Sequence, residues 1–413
     1  MLVVRTTLPP LPLELGRAVA HRPGAALLWT AAGRGPSFVT CDPIGRSEAL
    51  DPEPGLPLDP SADPLASTPR WIGLLPYECR RELERLRAPD PRPEPRPSRP
   101  LWHRYGAVAV VTDRVDVVGD DAELVRALCR RLEAGPPRAP CEARLVLHEP
   151  EPDELHLARI RRALELIAAG EIYQVNLARR LELSAEGGAV DLLGLLARRA
   201  PAPFAIACSF DGLEVAGSSP QLFLKLRADG TLRTSPIKGT RPRGADPGAD
   251  RRLAEELETD PKERAELAMI LDVERNDLGR VAQTGSVRLA EPPVVVTHES
   301  LHHRGASIEA RLKAGLGRDA VLRAVLPSGS VTGAPKIRAM EIIAALEPHR
   351  RGLYTGAYGA LCHDGGLLLG MAIRTLVAEA GHAHYFVGGG IVADSDPARE
   401  VEETRWKAVQ LGA

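Results

Sequence analysis

Two pairs of carboxylates, each pair set three residues apart, are the first features of this sequence that could do chemistry. Glu263 and Glu266 follow Asp260-Pro261, and Glu400 and Glu403 follow Ser395-Asp396-Pro397. Asp followed by Pro marks an N-cap and a first helical turn, so each pair shares one face of a helix near its start. Four carboxylates projected from two helices could hold a hard cation such as Mg2+, which keeps several waters and takes ligand oxygens. The same placement also complements the helix dipole, and spacing alone does not separate the two readings. Lys407 lies one turn beyond Glu403 on the same face.

Three glycine-rich turns accompany these helices. Ser328-Gly329-Ser330-Val331-Thr332-Gly333 runs into Ala334-Pro335-Lys336 and a helix start, where backbone N–H groups can bind an anion. Gly388-Gly389-Gly390 follows a strand, and the missing side chains let a ligand approach the backbone. Pro236-Ile237-Lys238-Gly239-Thr240 ends a hairpin strand. A lysine flanked by an apolar residue and a glycine can be partly desolvated, which favours the neutral, nucleophilic amine. An ordinary tight turn or a solvated lysine satisfies each pattern equally, and none is a nucleotide-binding fingerprint.

Around these residues the periodicity predicts strands at Ala25–Trp29, Ser37–Cys41, Tyr105–Asp113, Val115–Val118 and Ile172–Leu183. Asp211-Gly212 joins Phe204–Phe210 to Leu213–Ala216 as a hairpin, and Asp229-Gly230 joins Leu222–Leu226 to Leu232–Ser235. Helices are predicted at Glu154–Ala169 (capped by Gly170), Ala249–Glu258, Lys262–Asp272, Asp319–Val325, Lys336–Leu346, and from Pro397 onward. Further strands are expected at Gly356–Leu361, Gly370–Val377 and His384–Val387. Proline-rich Arg87–Pro100 and Ala134–Pro140 read as extended surface loops. Hairpins mixed with helices imply an α+β class with antiparallel sheets rather than repeated β-α-β winding. Residues 1–150 form an N-terminal region with little recognisable chemistry, and residues 151–413 carry the candidate site.

The 413 residues suffice for a large core, and 44% hydrophobic with 26% charged residues is the balance of a globular protein. A formal net charge of −2 gives no electrostatic basis for nucleic acid or an anionic membrane as partner. The N-terminus lacks the apolar stretch of a signal peptide, and no run approaches the roughly 18 apolar residues of a membrane span. Cys41, Cys79, Cys129, Cys141, Cys208 and Cys362 show no Cys-x-x-Cys or zinc spacing, so free thiols and a cytoplasmic location are expected.

In order along the chain, these segments resemble the chorismate-utilising enzymes, which include anthranilate, aminodeoxychorismate, isochorismate and salicylate synthases. The matching stretches are Gly170–Arg180, Ser218–Leu224, Pro236–Arg243, Asp260–Val281, Leu326–Glu341, Ala372–Val377 and Gly388–Lys407. The resemblance implies a two-subdomain sandwich of large antiparallel sheets with peripheral helices and an active site in the central cleft. It implies that Glu266 and Glu403 ligate Mg2+, with Glu263 and Glu400 nearby. Tyr354 and Arg374 match residues that bind a substrate carboxylate. Gly239, Thr240, Ser330, Gly390 and Lys407 match the rest of the substrate envelope. His303 matches a histidine close to the reacting ring, although Arg304-Gly305 replaces the Leu-Val that usually follows it.

Within that family two positions point to amination of chorismate at C4, giving 4-amino-4-deoxychorismate. The water-using branches carry a lysine base where this chain has Gln174, and the anthranilate branch usually carries alanine where this chain has Lys238. The resemblance therefore implies Lys238 as a covalent nucleophile, with ammonia supplied by a separate glutaminase subunit. It departs from the family at Ser219-Pro220-Gln221, where a glutamate thought to protonate the departing hydroxyl is expected. Glutamine can donate a hydrogen bond but cannot act as a general acid. Anthranilate synthase and a catalytically weakened regulatory homologue remain the alternatives. The tryptophan-binding motif expected near Leu27-Leu28-Trp29-Thr30 is missing, so no tryptophan feedback site is predicted.

Overall fold

A computed structural model describes residues 1–32, 35–60, 64–84, 90–137, 142–297 and 301–412. Two large antiparallel sheets dominate it. The first, of 12 strands, runs in spatial order Leu2–Arg5, Val115–Gly119, Ala107–Val111, Ser37–Thr40, Ala26–Trp29, Phe204–Phe210, Leu213–Ser219, Thr375–Glu379, His382–Ile391, Gln174–Glu186 and Gly333–Ala334. Arg144–Leu147 also pairs with Gln174–Glu186. The second, of 10 strands, runs Ile237–Pro242, Leu301–Arg311, Thr231–Ser235, Leu222–Leu226, Leu367–Met371, Ala357–Cys362, Pro69–Leu75, Leu101–Arg104 and Gly45–Ser47. Arg288–Thr297 adds to its Leu301–Arg311 strand. Both sheets therefore take strands from residues 1–150 and from residues 151–413.

Alternate side chains of one strand enter different cores. Leu27 and Val39 pack outward with Leu128 and Leu192 of the helices Ala122–Ala134 and Ala189–Arg199. Their neighbours Ala26 and Phe38 pack inward with Ile72 and Tyr358 of the second sheet. On that sheet's other face, Ile308 and Leu369 meet Leu267 and Leu322 of the helices Pro261–Gly279 and Arg318–Val325. Burial on both faces explains why Ala107–Val111 is apolar at every position rather than alternating.

Most predicted elements form within a few residues of their expected bounds. Asp211 (φ 51°) and Gly212 (φ 84°) both take the left-handed conformation that a two-residue hairpin turn demands. Gly370–Val377 differs: it is two strands, Leu367–Met371 in the second sheet and Thr375–Glu379 in the first. The apolar run through Ile373 hides the crossing in the sequence. The proline-rich segment is irregular where described, over residues 90–100, but it is not purely a surface loop. Asp90 is buried, and Arg92 donates to the carbonyls of Glu347 and His349 at 2.7 and 2.8 Å. Residues 87–89 and 138–140, parts of the two proline-rich stretches, lie outside the described residues. Cys41, Cys79, Cys129, Cys208 and Cys362 are buried free thiols, and Cys141 is outside the described residues. Among the described residues no helix is long and apolar enough to cross a membrane.

Candidate active site

The chain crosses between the two sheets twice at one place. Leu213–Ser219 leaves the first sheet, and Leu222–Leu226 joins the second, so Pro220 and Gln221 form the crossing. Ala372–Arg374 makes the return crossing. The two are tied together: Met371 N–H donates to the Gln221 carbonyl and Ser218 N–H to the Arg374 carbonyl, both at 3.0 Å. Arg374 takes a left-handed φ of 51°, rare for a residue with a side chain. A cleft opens beside these crossings. Every residue singled out above for catalysis, substrate or metal lines it: Lys238, His303, Gln221, Gly239, Thr240, Ser330, Tyr354, Arg374, Gly390, Lys407, Glu263, Glu266, Glu400 and Glu403.

Lys238 reaches the cleft because its strand is irregular. The pairing of Ile237–Pro242 with Leu301–Arg311 shifts register between Lys238 and Thr240, and Gly239 takes φ 70°. Such a bulge re-aims the neighbouring side chain. The Lys238 amine ends over Gly390, where an added Cβ would lie 3.1 Å from Nζ and 2.6 Å from Gln174 Nε2. Among the described residues no hydrogen bond or ion pair holds that amine. Burial depresses its pKa, against the pull of Glu266 and Glu403.

The acidic pairs face each other across the cleft on the helices Pro261–Gly279 and Pro397–Ala408. Burial raises Glu266 to about 7 and also raises Glu263. Burial opposes ionisation of Glu403 too, but Lys407, at 2.6 Å, holds it below the usual carboxylate range. Lys262 spans the helices, 3.1 Å from Glu400 and 3.8 Å from Glu266. Among the described residues, no three acidic, histidine or cysteine side chains already converge as a metal-binding group. The donors are nonetheless hard oxygens, crowded and desolvated, which is a setting that favours an added cation.

On the opposite wall Arg374 Nη2 bonds His303 Nε2 at 3.0 Å. A guanidinium only donates, so Nε2 accepts and the ring proton sits on Nδ1, facing Thr240 Oγ1 and the Gly239 carbonyl at 3.2 and 3.3 Å. Burial lowers the pKa of Arg374. Tyr354 stacks on Phe386 with ring centroids 5.0 Å apart.

Sequence reasoning missed the network behind this wall. Buried Arg351 donates to both oxygens of Glu347, to the Val331 carbonyl at 2.9 Å and to the Asn176 carbonyl at 2.7 Å. It thereby fixes three wall segments together. It also missed Lys262 and Asn176, which line the cleft. Polar Gln174 and Asn176, alternating with apolar Val175 and Leu177, were a period-two signal for a strand with one face on the site. A separate cavity of about 800 Å³ lies between the sheets, beside Leu28, Trp29, Phe204 and Tyr358.

Comparison with known proteins bears on the family and the fold. A relative named anthranilate synthase component 1, from Streptomyces coelicolor, is 46% identical over 60% of this chain and 49% of its own length. One named aminodeoxychorismate synthase component 1, from Klebsiella aerogenes, is 45% identical over 60% of this chain and 54% of its own. A Streptomyces griseus protein named aminodeoxychorismate synthase is 38% identical over 84% of this chain and 50% of its own. The chain thus spans about half the length of the curated relatives it matches. The crystal structure of anthranilate synthase component I from Streptococcus pneumoniae superposes with a TM-score of 0.77 at 25% identity, covering 93% of this chain and 94% of that one. The Escherichia coli menaquinone-specific isochorismate synthase shares the fold, with a TM-score of 0.78 at 21% identity over 100% of this chain and 94% of that one. The profile described as chorismate binding enzyme matches residues 45–411, and the chain belongs to that family.

Proposed function

We propose that this protein aminates chorismate at C4, giving 4-amino-4-deoxychorismate, with Lys238 as covalent nucleophile. The observation that carries the reading is the Lys238 amine, desolvated, unpaired among the described residues and directed over Gly390 in the cleft. A neutral amine there adds to C2 of chorismate while the ring double bonds shift and the C4 hydroxyl leaves as water. Ammonia then adds at C4, the double bonds shift back, and Lys238 departs as the free amine. The enolpyruvyl group is kept throughout, and the balance is chorismate plus ammonia giving aminodeoxychorismate plus water.

Arg374 and Tyr354 are placed to bind one substrate carboxylate, the arginine through its planar fork. His303 orients Arg374 by accepting its hydrogen bond. Glu266 and Glu403, with Glu263 and Glu400, would hold Mg2+, which when bound neutralises the other carboxylate. Ammonia comes from a separate glutaminase subunit in this reading. Incubation with chorismate, Mg2+ and ammonium, followed by an aminodeoxychorismate lyase, is expected to yield 4-aminobenzoate. Lys238→Ala is expected to yield none while keeping its unfolding temperature. Undiminished product from that variant sinks the mechanism.

The relatives named anthranilate synthase support a second reading, amination at C2. That reaction releases pyruvate, so pyruvate formed from chorismate and ammonium would decide for it.

A further inference from the structure

Behind Gln221 a line of buried hydroxyls leads to a carboxyl group that the reading above leaves without a task. Gln221 Nε2 donates to Ser330 Oγ at 2.9 Å, and Ser330 Oγ lies 2.7 Å from Ser328 Oγ. Ser328 Oγ bonds Glu274 Oε1 at 2.6 Å, and Thr234 Oγ1 donates to Glu274 Oε2 at 2.5 Å. All five side chains are buried, and only Gln221 and Ser330 among them line the cleft.

Glu274 projects from the middle of the helix Pro261–Gly279 toward the second sheet, beside Phe223 and Leu224. An ionised carboxylate in such a place needs a cation, and among the described residues none pairs with it. The charged groups that face it are Asp277, on the same helix, and Lys336, which is already bound to Asp277 at 2.8 Å. Two hydroxyl bonds favour the carboxylate, but desolvation outweighs them and raises the pKa of Glu274 above the usual range. Gln221, beside this line of hydroxyls, and His303, bonded to Arg374, are poorly suited as acids. Gln221 has no acidic proton, and His303 Nε2 is occupied in accepting from Arg374.

We propose that Glu274 stores the proton for the departing hydroxyl and delivers it through Ser328 and Ser330, in place of an acid at position 221. The proposal rests on the reading above only in requiring that the C4 hydroxyl of chorismate leaves in this cleft. The Glu274 proton passes to Ser328 Oγ, the Ser328 proton to Ser330 Oγ, and the Ser330 proton to the leaving oxygen. The C4–O bond breaks with its electron pair on oxygen, water departs, and Glu274 is left as carboxylate. The proton that Lys238 sheds on bonding to carbon passes to water in the cleft, and Glu274 regains one from water back along the same hydroxyls, so the cycle closes with no net change in protons. With Glu274 protonated, its hydroxyl donates to Ser328 Oγ and Ser328 donates to Ser330 Oγ, which also accepts from Gln221 Nε2, so the Ser330 hydrogen is free to point into the cleft. Ser330 touches the substrate; Ser328 and Glu274 act through it.

The test compares wild type, Glu274→Gln, and Glu274→Gln with Gln221→Glu, in the 4-aminobenzoate assay with chorismate, Mg2+ and ammonium. Glu274→Gln is expected to lower kcat about 100-fold or more while KM for chorismate changes little. The fall in wild-type kcat as rising pH removes the Glu274 proton should disappear in that variant. Adding Gln221→Glu places a carboxylic acid at the cleft and is expected to restore most of the rate, which repair of a merely structural defect would not do. If Glu274→Gln does not fold, Ser328→Ala cuts the same line and should show the same loss and the same rescue. A folded variant with kcat within threefold of wild type, or a loss that Gln221→Glu leaves unrepaired, overturns the relay. A wild type that makes no product from chorismate sinks the functional reading and the relay together. An active wild type with an unaffected Glu274→Gln sinks the relay alone.

Discussion

Gly390→Ala tests the geometry of the cleft with the smallest possible change. Gly390 pairs in register with Asn176, and its φ is not in the left-handed region, so the backbone accepts alanine. Space decides the outcome. The new Cβ would stand 2.6 Å from Gln174 Nε2 and 3.1 Å from Lys238 Nζ. Ordinary contact needs about 3.5 Å, so the amide must retreat by roughly 1 Å and the amine by a few tenths of an ångström. Gln174 is fully buried, and neither of its amide atoms has a hydrogen-bond partner, so its end gives way at modest cost. Overpacking of this kind costs about 1–3 kcal/mol. Catalysis is less forgiving, because a misplacement near 1 Å can cost about 100-fold. Lys238 Nζ moves by only a few tenths of an ångström, so the expected result in the lyase-coupled assay is a folded protein with kcat reduced about 10-fold and KM changed far less. Gly389→Ala is the comparison: its Cβ would meet Glu400 and Glu403 oxygens at 3.2 and 3.5 Å, the first tighter than an ordinary contact, so it presses on the acidic groups rather than on Lys238. A Gly390→Ala enzyme within threefold of wild type would refute the placement of Lys238 over Gly390.

Three further outcomes follow from the same coordinates. Arg70 grips Glu53 with two bonds, at 2.7 and 2.9 Å, and holds its pKa down to about 2. A depressed carboxylate stabilises above its unfolded pKa and loses that contribution as pH falls from about 4.5 toward 2. After discounting for partial exposure, Glu53→Gln should cost about 1–2 kcal/mol in urea unfolding at pH 6 and much less at pH 3. An equal cost at both pH values contradicts this. Arg351→Met leaves buried Glu347 without its cation, holding only the Ala178 N–H, and removes the donor to two carbonyls; it should cost about 3–5 kcal/mol in the same assay, whereas a change under about 1 kcal/mol would show the network to be dispensable. Micromolar tryptophan should leave the thermal unfolding temperature unchanged despite the cavity beside Trp29, and clear stabilisation would show that the missing motif is not required.

What the sequence disclosed, and what it hid, follows from the range of the interactions. The acidic helices were legible because Asp260-Pro261 and Asp396-Pro397 are local capping signals, and both aspartates do accept first-turn N–H bonds. The hairpins were legible because Asp-Gly fixes its own turn. Arg351 was not, because its partners on Val331 and Asn176 are carbonyls, which every residue possesses and no side-chain pattern advertises. The helix Ala189–Arg199 went unread because its N-cap is Gly188, which offers no side-chain capping signal, and Gly194 interrupts its middle. Glu274 looked like one more acidic residue on an acidic helix. Only the fold turns it inward, toward Ser328 and Thr234.

The strand Gln174–Glu186 finds its long partner, His382–Ile391, roughly two hundred residues later, and the carboxylates of the facing helix lie further on still. During synthesis both apolar cores can begin to assemble well before that partner exists. The cleft cannot, because Gly390, Glu400, Glu403 and Lys407 arrive after every other residue that lines it. Such distant pairing folds slowly and leaves strand edges open in the meantime. A nascent or shortened chain ending before Gly390 would therefore be well stocked with core, exposed along Gln174–Glu186, and without Glu400, Glu403 and Lys407 of the cleft. Synthesis past Lys407 becomes a precondition for chemistry, enforced by topology alone.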